Sequence, residues 1–255
     1  MLPVLFRIGS VEITSFGVMV AVGAMAGLWI FQRELRRSGL PDGALDAAIF
    51  GLFGGLAGAK LLYVAEHLGE APVLALLTDR GGMSWFGGFA GGLLAGLTTI
   101  LIKGWPVLPV LAAAAPALAV GQLLGRIGCF LVGDDYGRPT LLPWGVAFPR
   151  GLPPTVERVH PTQLYEAAFL ALLGWLLVRW RRRGVSDRTV LGRYFVGAAG
   201  FRFVLEFIRV NTRVLGPFTV AQLFSLGVVA LGFVILSGAA FVAQPIRAAR
   251  DDEQG

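Results

Sequence analysis

The chain has 255 residues, of which 55% are hydrophobic and only 15% charged, with a mean hydropathy of +0.70. Its apolar runs therefore reach bilayer length rather than the length of a soluble core helix, and the sequence reads as a polytopic membrane protein. The formal charge of +6 sits in short loops beside those runs, where membrane topology accounts for it and nucleic-acid binding is excluded. A single cysteine, Cys129, cannot form an intramolecular disulfide.

In chain order, residues 1–10 suit an arm at the interface. Seven predicted spans follow at about 11–31, 44–65, 83–102, 107–131, 162–178, 190–209 and 218–242, each near the ~20 residues a bilayer requires. The first is too long for a cleaved signal and is retained. One set of loops holds Arg33, Arg36, Arg37, Lys103, Arg179, Arg181, Arg182, Arg183, Arg188, Arg247 and Arg250. The other holds Arg7, Arg80, Arg138, Arg150, Arg158, Arg209 and Arg213, so the positive-inside rule places the N-terminus outside and the C-terminus in the cytoplasm. Residues 1–247 form one transmembrane domain, with an outer loop region at about 132–161 and a polar tail at 248–255.

Glycines pattern the second and third spans: Gly51 with Gly55, Gly54 with Gly58, Gly87 with Gly91, and Gly88 with Gly92 and Gly96. Such pairs let helix backbones approach closely. In residues 81–92 they also let backbone approach a ligand.

Charges within the apolar runs carry the functional signal, because a guanidinium at bilayer depth needs water, a carboxylate or a phosphate. The stretch GQLLGRIGCFLVGDDYGRPT, 121–140, places Arg126, Asp134 and Asp135 at the outer end of the fourth span. Arg126 either snorkels to outer head groups or clamps a phosphate, whose oxygens its fork matches in pairs. The stretch FRFVLEFIR, 201–209, puts Arg202, Glu206 and Arg209 on one helical face. Arg202, near mid-span, requires a partner, and a brace by Glu206 is the structural alternative. These two segments are expected to face each other across a cavity and hold an anionic head group.

Asp134 and Asp135 either pair with arginine, cap a turn, or serve as general base if desolvated. A divalent-cation site is disfavoured for want of further oxygen ligands. In HPTQLYE, 160–166, Pro161 suits the first helical position and His160 or the preceding Val159 the cap, while Gln163 and Glu166 share a face and a buried Glu166 needs a partner. Lys60 either snorkels or reaches the same cavity. No nucleotide-phosphate loop, zinc spacing or nucleophile elbow is present.

Taken in order, AGAKLLYV, GGMSWFGG, GRIGCFLVGDDYGR, HPTQLYE, FRFVLEFIR and FTVAQLFS resemble the prolipoprotein diacylglyceryl transferases of bacterial inner membranes. The resemblance implies transfer of a diacylglyceryl group from phosphatidylglycerol, or a similar phospholipid, to the lipobox cysteine thiol of a preprolipoprotein, without a cofactor. It implies catalytic roles for Arg126, Arg202, Glu206 and Asp134. Substrate-binding roles fall to Lys60, Cys129, Asp135, Gly137, His160, Gln163, Glu166 and Arg209. Departures from the family pattern are Phe86 for a histidine, Phe16 for a tyrosine, Cys129 and Val132 for asparagines, Asp134 for a glutamate and Lys60 for an arginine. They leave two rivals open: the same scaffold serving another acceptor, and a non-catalytic lipid-binding or transport protein.

Overall fold

A computed structural model describes residues 3–9, 11–79 and 81–238. The polar tail, the end of the seventh predicted span, Arg80, Arg247 and Arg250 lie outside the described residues. The described residues form long helices with three short hairpins at their ends. Strands β1 (Val4–Ile8) and β2 (Val11–Thr14) form the first hairpin, followed by α1 (Ser15–Arg37), α2 (Leu45–Glu66), the short α3 (Val73–Thr78), α4 (Trp85–Ile102) and α5 (Val107–Val132). A second hairpin, β3 (Val146–Phe148) and β4 (Thr155–Val159), precedes α6 (Thr162–Arg182) and α7 (Asp187–Leu205). A 3-10 turn at Glu206–Ile208, the hairpin β5 (Arg213–Leu215) and β6 (Phe218–Thr219), and α8 (Val220–Ser237) complete the chain. All three hairpins are antiparallel.

Among the described residues, five helices are long and apolar enough to cross a bilayer: α1, α2 with its 3-10 lead-in, α4, α5 and α8. The chain is a multi-pass membrane protein. Helices α6 and α7 reach 21 and 19 residues but carry too many charges to qualify on hydropathy alone. Several boundaries differ from the sequence reading. The first span begins at Ser15 rather than residue 11, because residues 11–14 pair as a strand and Thr14 caps the helix by accepting from the Gly17 amide. Helices α1 and α6 continue through Arg33, Arg36 and Arg37 and through Arg179, Arg181 and Arg182, whose cations suit the negative end of a helix dipole. Helix α6 starts at Thr162, with Pro161 preceding it rather than opening it. Helix α7 stops at Leu205, which moves Arg202 from mid-span to the last turn.

Helix α5 is the central post. Its alanines divide between two cores: Ala112, Ala115 and Ala119 pack with Leu173, Leu177, Leu191 and Tyr194, whereas Val110, Ala113 and Ala117 pack with Phe31, Leu35, Ala47 and Ile100. Small side chains on both flanks let α1 and α6 close on it. The predicted glycine seam joins α2 to α4: a Cβ at Gly54 would lie 2.7 Å from the Gly91 carbonyl oxygen, so only glycine permits this approach. That seam is occupied by helix against helix.

Candidate active site

Helix α5 ends where Gly133 adopts a left-handed conformation (φ 83°) and its amide bonds the Cys129 carbonyl. Two residues on, Asp135 also has positive φ (61°), an uncommon state for a residue with a side chain and one that clusters at functional sites. The turn is held from outside. Thr162 Oγ1 and Arg209 Nη1 donate to the Asp135 carbonyl at 2.7 and 2.9 Å, and Gln163 Nε2 donates to the Asp134 carbonyl. Gly137 bonds the His160 carbonyl, and a Cβ there would sit 2.7 Å from the Ile208 carbonyl oxygen and 2.8 Å from Thr162 Cγ2. Its role is to let the loop close against the start of α6.

This turn brings the two charged segments together through carboxylates. Arg126 Nη1 donates to Asp135 Oδ2 at 2.8 Å, and its Nε lies 2.9 Å from Glu166 Oε2. Arg209 Nη2 donates to Asp135 Oδ1 at 2.5 Å, so one carboxylate bridges α5 and the segment after α7. Arg202 Nη1 donates to Glu206 Oε2 at 2.5 Å, with Arg209 Nε 3.4 Å from the same oxygen. The expected shared helical face is replaced by a helix end, a 3-10 turn and an extended Arg209, which is how that side chain turns back to Asp135. The arginines therefore do not stand bare before a lipid: a carboxylate occupies one edge of each.

The three arginines are not equivalent. Arg209, 3% exposed, spends both terminal nitrogens on Asp135. Arg126 and Arg202 are 22% and 19% exposed, and neither uses Nη2 in a hydrogen bond among the described residues. Unsatisfied polar atoms collect in the same place: Asp134 Oδ1, Gln163 Oε1, Glu166 Oε2 and Arg209 Nε are buried without a hydrogen-bond partner, and Ser15 Oγ is the remaining such atom among the described residues. The Glu166 contact is close but misaligned for a hydrogen bond. Buried polar groups are almost always bonded, so this concentration makes the cluster the candidate site.

The proton affinities of the two carboxyls are pushed in opposite directions. Burial raises the Asp134 carboxyl above its ordinary value, aided by Asp135 and opposed by a Cys129 hydrogen bond, Arg126 and Arg209. Burial opposes the charge of Asp135 too, but Arg209 and Arg126 outweigh it and hold that carboxyl low. Cys129 Sγ and the two aspartates have ligand atoms within 4.8 Å of one another. Of that trio, Asp135 is already shared between two guanidiniums.

Other predicted residues lie apart in their bonding. Lys60 Nζ donates to the carbonyls of Asp79 and Gly82, tying α2 to the entry of α4, and makes no polar contact with the arginine cluster. His160 faces Tyr165 (Nδ1 to Oη 3.3 Å), whose hydroxyl also accepts from Trp144 Nε1. Phe16 packs against Gly128, next to Arg126 on α5. Phe86 joins Trp85, Phe89 and Phe224 in an aromatic cluster linking α4 to α8. Sequence reasoning missed Asn211 and Thr219, which donate to Glu206 Oε1 at 2.6 and 2.9 Å. Thr219 also caps α8 in a capping box with Gln222, a spacing legible in FTVAQ. Nothing local singles out Asn211.

A model of the prolipoprotein diacylglyceryl transferase family matches residues 3–237. Among curated proteins, the chain is 36% identical over 251 residues to one from Geobacter sulfurreducens, covering 91% of this chain and 93% of the relative. It is 32% identical over 244 residues to one from Clostridium tetani (93% and 97%) and 32% over 250 residues to one from Pseudoalteromonas translucida (92% and 91%). All three relatives carry the name phosphatidylglycerol–prolipoprotein diacylglyceryl transferase. A match that spans the helices, the turn after α5 and the arginine cluster alike places the chain in the prolipoprotein diacylglyceryl transferase family.

Proposed function

We propose that this protein transfers the diacylglyceryl group of phosphatidylglycerol to the lipobox cysteine of a preprolipoprotein. The observation that carries the reading is the unspent edge on Arg126 and Arg202 amid buried, unsatisfied polar atoms. A phosphodiester supplies the acceptor oxygens those donors lack, and the names of the relatives supply the lipid and the acceptor. The acceptor sulfur attacks the glyceryl carbon that carries the phosphate ester. A C–S bond forms, the C–O bond breaks, and glycerol phosphate leaves with the electron pair. Arg126 and Arg202 stabilise charge gathering on the departing phosphate, the kind of preorganised electrostatic help that is usually the largest catalytic contribution.

The thiol proton goes to Asp134. Asp135 is neutralised by two arginines, Glu206 accepts from Arg202, Asn211 and Thr219, and His160 faces Tyr165, whereas Asp134 Oδ1 is buried and free with its affinity for protons raised. Arg209 acts as a positioning residue that holds Asp135 and, through it, Arg126. In the membrane we place seven crossings, α6 and α7 included, with the N-terminus and arginine cluster on the outer side of the bacterial inner membrane. The packing of α6 and α7 against α5, together with the basic ends of α1 and α6, supports that orientation.

The apolar surroundings of Phe86 favour a second reading, a lipid-binding scaffold without transfer. Labelled phosphatidylglycerol and a lipobox peptide separate the two. Lipid-modified peptide and free glycerol phosphate, lost in Arg202→Ala, are expected. Binding without glycerol phosphate release would establish the second reading.

A further inference from the structure

The opposite end of the molecule carries a second set of arginines that the transfer reading does not use. Leu172, Trp175, Arg179 and Arg182 follow one another at i, i+3, i+7 and i+10 along α6 and are all exposed. They therefore form a single outward stripe, apolar toward the middle of the helix and cationic at its end. A hollow of about 310 Å³ lies on this stripe, lined by Trp175, Val178, Arg179, Arg182 and Arg183. Arg182 also borders an adjoining hollow of about 300 Å³ with Glu34, Arg37, Ser38 and Arg181.

The charges here divide sharply. Arg181 is 5% exposed and fully engaged: Nε with Glu34, Nη1 with Asp187 and Nη2 with Ser38. Arg37 pairs with the other Glu34 oxygen at 2.6 Å. Both acids near this corner are consumed. Arg179 stacks over Trp175 at 5.3 Å, and neither it nor Arg182 nor Arg183 forms an ion pair with a carboxylate among the described residues. Three uncompensated cations thus surround a hollow that opens directly onto an apolar, tryptophan-lined helix face.

We infer that this hollow is a binding site for the phosphate of an anionic phospholipid in the leaflet opposite the candidate active site. The head group sits among Arg179, Arg182 and Arg183, and the acyl chains run along Trp175 and Leu172. Basic hollows at the cytoplasmic ends of membrane helices suit such head groups, and the guanidinium fork suits their oxygens. The occupant is a lipid rather than a soluble anion because the stripe continues into apolar surface where only hydrocarbon is at home. The inference rests on α6 crossing the bilayer.

The test uses full-length chain carrying Arg126→Gln and Arg202→Gln, so that the candidate active site no longer competes. Native mass spectrometry from nanodiscs of mixed phosphatidylglycerol and phosphatidylcholine should show one retained phosphatidylglycerol. Adding Arg179→Gln, Arg182→Gln and Arg183→Gln should weaken retention roughly 100-fold, at about fivefold per cation, whereas lysine at the same three positions should keep it. Equal retention by the glutamine and lysine forms, or equal retention of phosphatidylcholine, overturns the proposal. So does displacement of the lipid by inorganic phosphate. Should the glutamine form fail to fold, salt titration of the parent decides the matter: retention that falls with ionic strength supports the site, and retention indifferent to salt overturns it.

The acidic run at 251–253 in the sequence is a rival source of negative charge. If only a chain ending at residue 247 retained lipid, the full-length assignment would fall. Labelling of Gly184→Cys and Leu142→Cys, each in a Cys129→Ser background, tests the crossing separately. Reaction of both from one face of the membrane removes the crossing itself, whatever the lipid result.

Discussion

The two ends of this molecule use the same side chains to opposite effect. At the basic end, Arg181 meets Glu34, Asp187 and Ser38 with all three of its nitrogens and is almost fully buried, so it staples α1 to α6 and α7. At the other end, Arg126 meets Asp135 and Glu166, and Arg202 meets Glu206, yet each keeps a nitrogen in reserve. The difference teaches how to read an intramembrane arginine. A closed set of partners is a structural device, and an open set, among orphaned acceptors and donors, is prepared for a ligand.

The comparison can be broken most directly at the open end. Arg202→Ala should lower transfer by roughly 10²- to 10³-fold per folded molecule, the usual loss when one donor to developing charge is removed, while Asn211, Thr219 and Arg209 keep the buried Glu206 carboxylate partnered and limit the fall in melting temperature. If Arg202→Ala instead unfolds the protein while activity per folded molecule survives, the open arginine is structural after all. Asp134→Asn should cost about 10²-fold or more, as expected for loss of a proton acceptor. The sign of its pH dependence follows from burial. Asp134 works as a base only when ionised, and burial raises its pKa above the ordinary ~3.9, so activity rises as pH climbs through that raised value. Asp134→Asn should flatten this limb of the profile, and an unchanged limb assigns the proton elsewhere.

At the closed Arg181 cluster the expectation reverses. Glu34→Ala leaves Arg181 and Arg37 uncompensated and should destabilise by about 3 kcal/mol or more, read as a fall in melting temperature. Transfer per folded molecule should hold. A selective loss of transfer in Glu34→Ala would join the two ends functionally. The smallest effect is expected at Thr219, whose hydroxyl donates to Glu206 and accepts from the Gln222 amide. Thr219→Val should cost about 1 kcal/mol for the lost cap together with a several-fold fall in turnover, and Thr219→Ser should restore both. Restoration of stability alone would confine the hydroxyl to capping.

Much of this was written in the chain itself. The long apolar runs, the glycine pairs and the charges stranded among them follow from local composition and period, because hydrocarbon admits only helices with satisfied backbones and makes each misplaced charge conspicuous. The Arg202–Glu206 contact is four residues long and needs no fold to find. What the tertiary structure alone decided is which partner each remaining charge received. Asp135 reaches Arg209 across 74 residues, and Arg181 reaches Glu34 across 147. It also decided that α7 stops at Leu205, which turns an assumed helical face into a bend and brings Arg209 home. Local sequence sets which groups must be neutralised, but a carboxylate acts on whatever cation lies within a few ångströms, and that proximity is a property of helices packed around α5 rather than of any stretch of sequence.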